Sequence, residues 1–140
     1  RFSDKVTLTG KIDMIEPIDT SDNVIVYDFK TGKTKTRGEI EGTTKSGTGN
    51  YKRQLLFYKI LLDHYQYKKM RMTSGVIEFI EPNEKGMYKR EVFDITPDEV
   101  KALEQQIKEV TDEILSLGFW DKGCKKPDCE YCALRSYIGN

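Results

Sequence analysis

Cysteine is scarce in this chain, long apolar runs are missing, and neither charge is in excess. The three cysteines are an odd number, and all lie between positions 124 and 132. That argues against a disulfide framework and raises metal binding as a question. No apolar stretch approaches the roughly 18 residues that a spanning helix needs, so no membrane role is expected. Lys plus Arg and Asp plus Glu stand at 23 each. The whole-domain basicity of a simple nucleic-acid binder is therefore absent, and any such contact has to come from local clustering. A secretory leader is also missing, and the chain opens at Arg1 without a methionine. It is read as a piece of a larger cytoplasmic protein. What remains, 37% hydrophobic and 33% charged over 140 residues, is enough for one core and reads as a single globular domain over 1–140.

Hydrophobic periodicity gives an order of ββ, loop, α, ββ, α. Lys5 to Asp19 alternates Val6, Leu8, Ile12 and Met14 with polar neighbours, and Asn23 to Phe29 carries Val24, Ile25, Val26 and Tyr27. Both read as strands of one hairpin, joined by the turn-rich residues 19–23. From Thr31 to Asn50 the chain is rich in Gly, Thr, Lys and Ser. With almost nothing apolar to bury, 31–50 reads as a long mobile loop. Tyr51 to Tyr65 is apolar around much of a helical circumference, as expected of a helix buried on a sheet. Met72 to Glu81 and Met87 to Ile95 are two further strands, joined by a turn over Pro82 to Gly86. Thr96-Pro97-Asp98-Glu99 is a capping box with proline at the first helical position. Val100, Leu103, Ile107, Val110 and Ile114 then form one stripe that should pack on the sheet, with Gly118 placed to end the helix. The class is α/β or α+β with a mixed sheet.

Two strand segments carry chemistry: Gly10-Lys11-Ile12-Asp13, and Tyr27-Asp28-Phe29-Lys30-Thr31-Gly32-Lys33. If the strands pair, Asp13 and Asp28 approach each other, and Asp28 and Lys30 share a face because alternate strand residues point the same way. Two carboxylates suit Mg²⁺, which takes oxygen ligands and keeps open positions for water and phosphate. A lysine beside them can stabilise charge that builds on a phosphate in the transition state. Taken alone, an Asp-x-Lys triplet at a strand end reads as a surface ion pair. Asp13 in an apolar strand is harder to dismiss, since an unpaired buried carboxylate is costly.

These segments, followed by Arg53-Gln54-Leu55-Leu56-Phe57-Tyr58, resemble the motif series of the RecB and AddB branch of the PD-(D/E)XK nucleases, over nearly the whole chain. The resemblance implies a restriction-endonuclease-like mixed sheet flanked by helices, with the family's N-terminal helix missing here. It implies that Asp13 and Asp28 hold Mg²⁺ or Mn²⁺, that the Phe29 backbone carbonyl adds a ligand, and that Lys30 is the catalytic lysine. Gln54 and Tyr58 match the family's helical motif, and four residues apart they lie on one helix face. It further implies a deoxyribonuclease acting on single-stranded DNA ends in repair or recombination, beside a helicase in the same polypeptide or complex, among them motors of the UvrD/Rep type. A nuclease-fold module that no longer cuts, and instead holds DNA or docks a protein, is the alternative.

Lys33, Lys35, Arg37, Lys45, Lys52 and Arg53 cluster around the 31–50 loop and are candidates for contact with backbone phosphates. The segment 119–140 holds Phe119, Trp120 and the cysteines. Cys129-Glu130-Tyr131-Cys132 resembles the C-terminal part of family members that carry an iron–sulfur cluster, which needs four thiolates. The last cysteine of that pattern falls near Ile138, and Cys124 is an additional candidate. The one histidine, His64, has no evident reason to reach them. Cys124, Cys129 and Cys132 are therefore expected as reduced thiols of a degenerate site rather than as ligands of zinc or a cluster.

Overall fold

The sheet is built around one strand with apolar side chains on both faces. A computed structural model describes residues 6–138 apart from 121, 125 and 127. Its elements run β1 (Met14–Pro17), β2 (Asn23–Lys30), α1 (Arg37–Glu41), α2 (Asn50–Asp63), β3 (Arg71–Phe79), β4 (Arg90–Asp94), α3 (Pro97–Leu115) and α4 (Glu130–Ile138). The four strands lie in the order β1-β2-β3-β4. β1 and β4 run antiparallel to their neighbours, whereas β2 and β3 are parallel. Parallel neighbours need a crossover, and α1 and α2 supply it. β2 reads Asn-Val-Ile-Val-Tyr-Asp-Phe-Lys with Val24, Val26, Tyr27 and Asp28 buried, the near-continuous run expected of a strand covered on both sides. The observed class is the expected one: α+β, a mixed sheet with flanking helices.

Residues 1–105 form one unit, with the sheet, α1, α2 and the start of α3; residues 106–140 form a second, with the rest of α3 and α4. In the first, Leu55, Tyr58 and Leu62 of α2 recur at helical spacing and meet Val24, Val26, Met72, Ile77 and Phe79 of the central strands. Gly75 of β3 makes the close approach workable. A methyl group added there would lie 2.9 Å from both Leu55 Cδ atoms. No helix among the described residues is long and apolar enough to cross a membrane.

Five local expectations are corrected. The first strand is shorter than Lys5 to Asp19, because the ladder starts at Met14 opposite Tyr27. Gly10 lies against α2 instead: a Cβ there would come within 2.7 Å of Leu61 Cδ1. Asp13 therefore sits one residue ahead of the strand, not inside it. The fourth strand is confined to Arg90–Asp94. The stretch 31–50 contains a helix, α1, which has its own capping box between Thr36 and Glu39 and a left-handed stop at Gly42. Its anchor is Ile40, 1% exposed and part of the core. The α3 stripe is buried only at Val100 and Leu103, while Val110 and Ile114 are exposed. Its Thr96–Glu99 capping box is present as expected. The stop falls on Leu117, left-handed at φ 56°, with the Gly118 amide donating to Glu113 at 2.8 Å.

The Leu55–Gly75 contact sets an expected outcome in urea unfolding. Gly75→Ala should destabilise the protein by about 1–3 kcal/mol through overpacking, and Leu55→Ala by about 2–5 kcal/mol through reduced packing. Combined, the two should cost clearly less than their sum, since the added methyl enters the space that Leu55 vacates. Simple additivity would show that the two residues do not press on each other.

Candidate active site

Asp28 is the one charged side chain fully buried among the described residues, at 1% exposure. It lies in β2 on the same side as Val24 and Val26, which face α2. A carboxylate in that position needs partners. Oδ1 accepts the Tyr58 hydroxyl at 2.9 Å. Oδ2 has the Lys30 ammonium 2.6 Å away, yet no donor is aligned on it as a hydrogen bond. The pairing on that oxygen is one of charge rather than direction. Lys30 Nζ also donates to Gln54 Oε1 at 2.7 Å, and Gln54 Nε2 donates to the Tyr58 oxygen at 2.6 Å. Asp28, Lys30, Gln54 and Tyr58 thus close a ring of polar contacts. Two members come from a strand at i and i+2, and two from a helix at i and i+4.

Tyr58 is pushed up to about 12, first by burial and then by its hydrogen bond to Asp28. It therefore remains a proton donor throughout the neutral range. Tyr51, one turn before Gln54, has Lys30 Nζ 4.5 Å and Lys35 Nζ 4.6 Å from its ring centroid. Two ammonium groups over one ring is a favourable cation–π arrangement. Sequence reasoning treated Tyr51 only as the start of a buried helix. Its spacing of three and seven residues from Gln54 and Tyr58 was the available signal.

Asp13 is brought to the same strand end. Continuing the ladder beyond Met14–Tyr27 by one rung sets Asp13 opposite Asp28, and the exposed Asp13 carboxylate accepts the Phe29 amide N–H at 2.9 Å. Its charge contributes to the upward shift of Tyr58. The Phe29 carbonyl belongs to the peptide linking Phe29 to Lys30. A buried carboxylate oxygen without an aligned donor, beside a solvent-facing second carboxylate, is a hard oxygen set that fits Mg²⁺ or Mn²⁺.

The surrounding cations divide into two groups. Arg37 pairs with Glu41 at 3.2 Å and Glu91 at 3.3 Å, and its guanidinium lies 4.3 Å from the Phe93 ring centroid. Lys52 pairs with Glu99 at 2.5 Å. These two are committed to holding α1, α2 and the start of α3 in place. Lys33, Lys45 and Arg53 are exposed, with Arg53 donating to its helix neighbour Asn50 at 3.1 Å. Lys35 is half-buried against Tyr51.

In the second unit, the sulfur atoms of Cys124, Cys129 and Cys132 all lie within 4.8 Å of one another. Cys124 and Cys132 are 3.5 Å apart at sulfur. The Cys129 thiol is lowered to about 7, chiefly by the hydrogen bond from Cys124. His64 is at the end of α2, 3.6 Å from Glu104.

Comparison with known proteins gives one match. The profile of a family described as the PD-(D/E)XK nuclease superfamily matches residues 1–137. No curated protein and no solved structure matches the chain.

The Tyr58–Asp28 bond predicts a pH signature of stability. A folded-state pKa raised from 10.0 to about 12 contributes stability that is complete below pH 10 and is lost as pH rises through 12. Tyr58→Phe should cost about 1–3 kcal/mol at neutral pH, because Asp28 Oδ1 loses its donor. Denaturation followed from pH 7 to pH 12 should show the gap between wild type and variant narrowing above pH 10. A constant gap would mean that the phenol does not titrate with folding.

Proposed function

Because this chain belongs to the PD-(D/E)XK nuclease superfamily, we propose that its Asp28 centre hydrolyses DNA phosphodiester bonds, as a module of the RecB and AddB kind working on single-stranded ends. In this reading a helicase in the same polypeptide or complex delivers the strand, and the setting is repair or recombination. The observation that carries it is the closed ring of Asp28, Lys30, Gln54 and Tyr58. A merely structural ion pair has no need of a buried carboxylate with an unaligned oxygen beside a second, exposed carboxylate.

Superfamily members generally use Mg²⁺ or Mn²⁺. Asp13, Asp28 and the Phe29 carbonyl would hold that ion, which supplies a polarised phosphoryl oxygen and a water of lowered pKa. The chain's own residues do the rest. Tyr58, protonated at neutral pH, fixes Asp28 through Oδ1, while Oδ2 faces the Lys30 ammonium. Gln54 accepts from Lys30 and donates to Tyr58, which sets both at fixed positions before substrate arrives. Lys30 places a fixed positive charge where negative charge grows on the phosphate, an interaction that gains strength in the transition state. Lys33, Lys35, Lys45 and Arg53 border the same crossover and attract the strand without reading its bases. Arg37 and Lys52, already paired with glutamates, contribute less to this attraction.

Binding and chemistry should therefore separate. Lys30→Ala should lower the rate of cleavage of a labelled single strand by about 10²–10³-fold, with DNA affinity nearly unchanged. Asp28→Asn should also stop cleavage, and calorimetry should show weakened Mg²⁺ binding. Neutralising Lys33, Lys45 and Arg53 should instead weaken binding. It should also reduce the slope of log affinity against log salt, by about 0.7 for each phosphate no longer neutralised. Unaltered cleavage by the Lys30→Ala protein would end the assignment and favour a module that holds DNA or a partner while the cutting is done elsewhere.

A further inference from the structure

We propose that Cys124, Cys129 and Cys132 bind one thiophilic divalent cation of the zinc class, and that this ion fixes the start of α4. The proposal is independent of the nuclease centre. Sequence spacing pointed to a degenerate remnant, because only Cys129 and Cys132 fall in a recognisable pair. The structure instead turns Cys124 back onto them, so that three sulfur atoms share a volume with no separation above 4.8 Å. In a tetrahedral zinc site with Zn–S bonds of about 2.3 Å, neighbouring sulfurs lie about 3.8 Å apart. The 3.5 Å between Cys124 and Cys132 is already near that edge.

The backbone is arranged as such a site requires. The Cys129 carbonyl accepts the Ala133 amide at 3.0 Å, so Cys129 stands immediately before α4 and Cys132 in its first turn. The Cys124 amide N–H donates to Cys132 Sγ at 3.3 Å. An N–H bond to sulfur of this kind stabilises a thiolate ligand and fixes its direction.

An ion also answers a question of stability that packing leaves open. α4 has nine residues, shorter than the roughly 12–15 at which an isolated helix becomes even marginal. Tyr131, Leu134 and Tyr137 are exposed, so these three side chains supply little burial to offset the entropy of ordering. Binding free energy at a thiolate site is folding free energy for the segment that provides it. Three soft thiolates select zinc over Mg²⁺ or Ca²⁺, with the fourth corner going to water.

The test is metal analysis of the chain, purified under reducing conditions without chelator. One zinc per chain is expected. Stripping with chelator and adding Co²⁺ should give the sulfur-to-cobalt charge-transfer band and the intense visible bands of a tetrahedral thiolate site, with no variant needed. Cys124→Ser, Cys129→Ser and Cys132→Ser should each lower zinc content to about a tenth or less. Zinc removal should expose residues 122–138 to protease and leave the sheet unit resistant. Any of four results overturns the proposal: absence of thiolate bands with Co²⁺, full metal retention in Cys124→Ser, stoichiometric iron with acid-labile sulfide, or a Cys124–Cys132 disulfide that persists in the chain as purified under reducing conditions.

Discussion

Everything at this end of the sheet depends on a carboxylate placed where water cannot solvate it. Asp28 is buried in the central strand among valines and a helix face. Removing that charge from water is unfavourable by several kcal/mol unless other groups stand in for the solvent. Tyr58 and Lys30 are those groups, and Gln54 holds both. The need to satisfy one atom therefore dictates the position of α2 on the sheet as firmly as the apolar contacts do. Leu55 and Leu62 press the helix down; Tyr58, between them on the same stripe, fixes its rotation.

Burial and chemistry coincide at this point for a physical reason. A low-dielectric pocket strengthens the pull of a carboxylate on any cation, and of an ammonium on any phosphate. The same arrangement that makes Asp28 costly to fold makes it effective toward charge. Tyr58 illustrates the link, since the burial and the Asp28 bond that stabilise the ring also keep its phenol protonated far above neutrality.

Much of this was legible in the sequence. An Asp two residues from a Lys at a strand end, and a Gln four residues from a Tyr on a helix, state local periodicities that survive folding unchanged. The Thr96–Glu99 capping box is equally local and appears where it was expected. What escaped depended on contacts between distant residues. Ile40 is a lone apolar residue in a polar stretch, and only the core it enters explains α1. The late start of the first strand follows from Gly10 fitting under Leu61, a neighbour some fifty positions away. Composition alone could not distinguish Lys52 and Arg37, drawn into glutamate pairs, from the exposed Lys33 and Lys45. The third thiol is of the same kind, because nothing in the spacing of Cys124 requires it to turn toward Cys129 and Cys132.

The parallel pairing of β2 with β3 has a consequence for how the molecule assembles. Asn23 meets Arg71 and Lys30 meets Phe79, so each rung joins positions about fifty residues apart, a separation whose loop-closure entropy slows folding. The crossover that must close before any rung forms includes α2, the element that carries Gln54 and Tyr58. Strand pairing and assembly of the polar ring therefore share one long loop closure. A chain that has not completed it exposes the β2 edge, with its valines and an uncompensated Asp28, to other chains. Nascent or thermally stressed molecules are most vulnerable to aggregation at that stage, and substitutions that weaken the packing of α2 on β3 lengthen it.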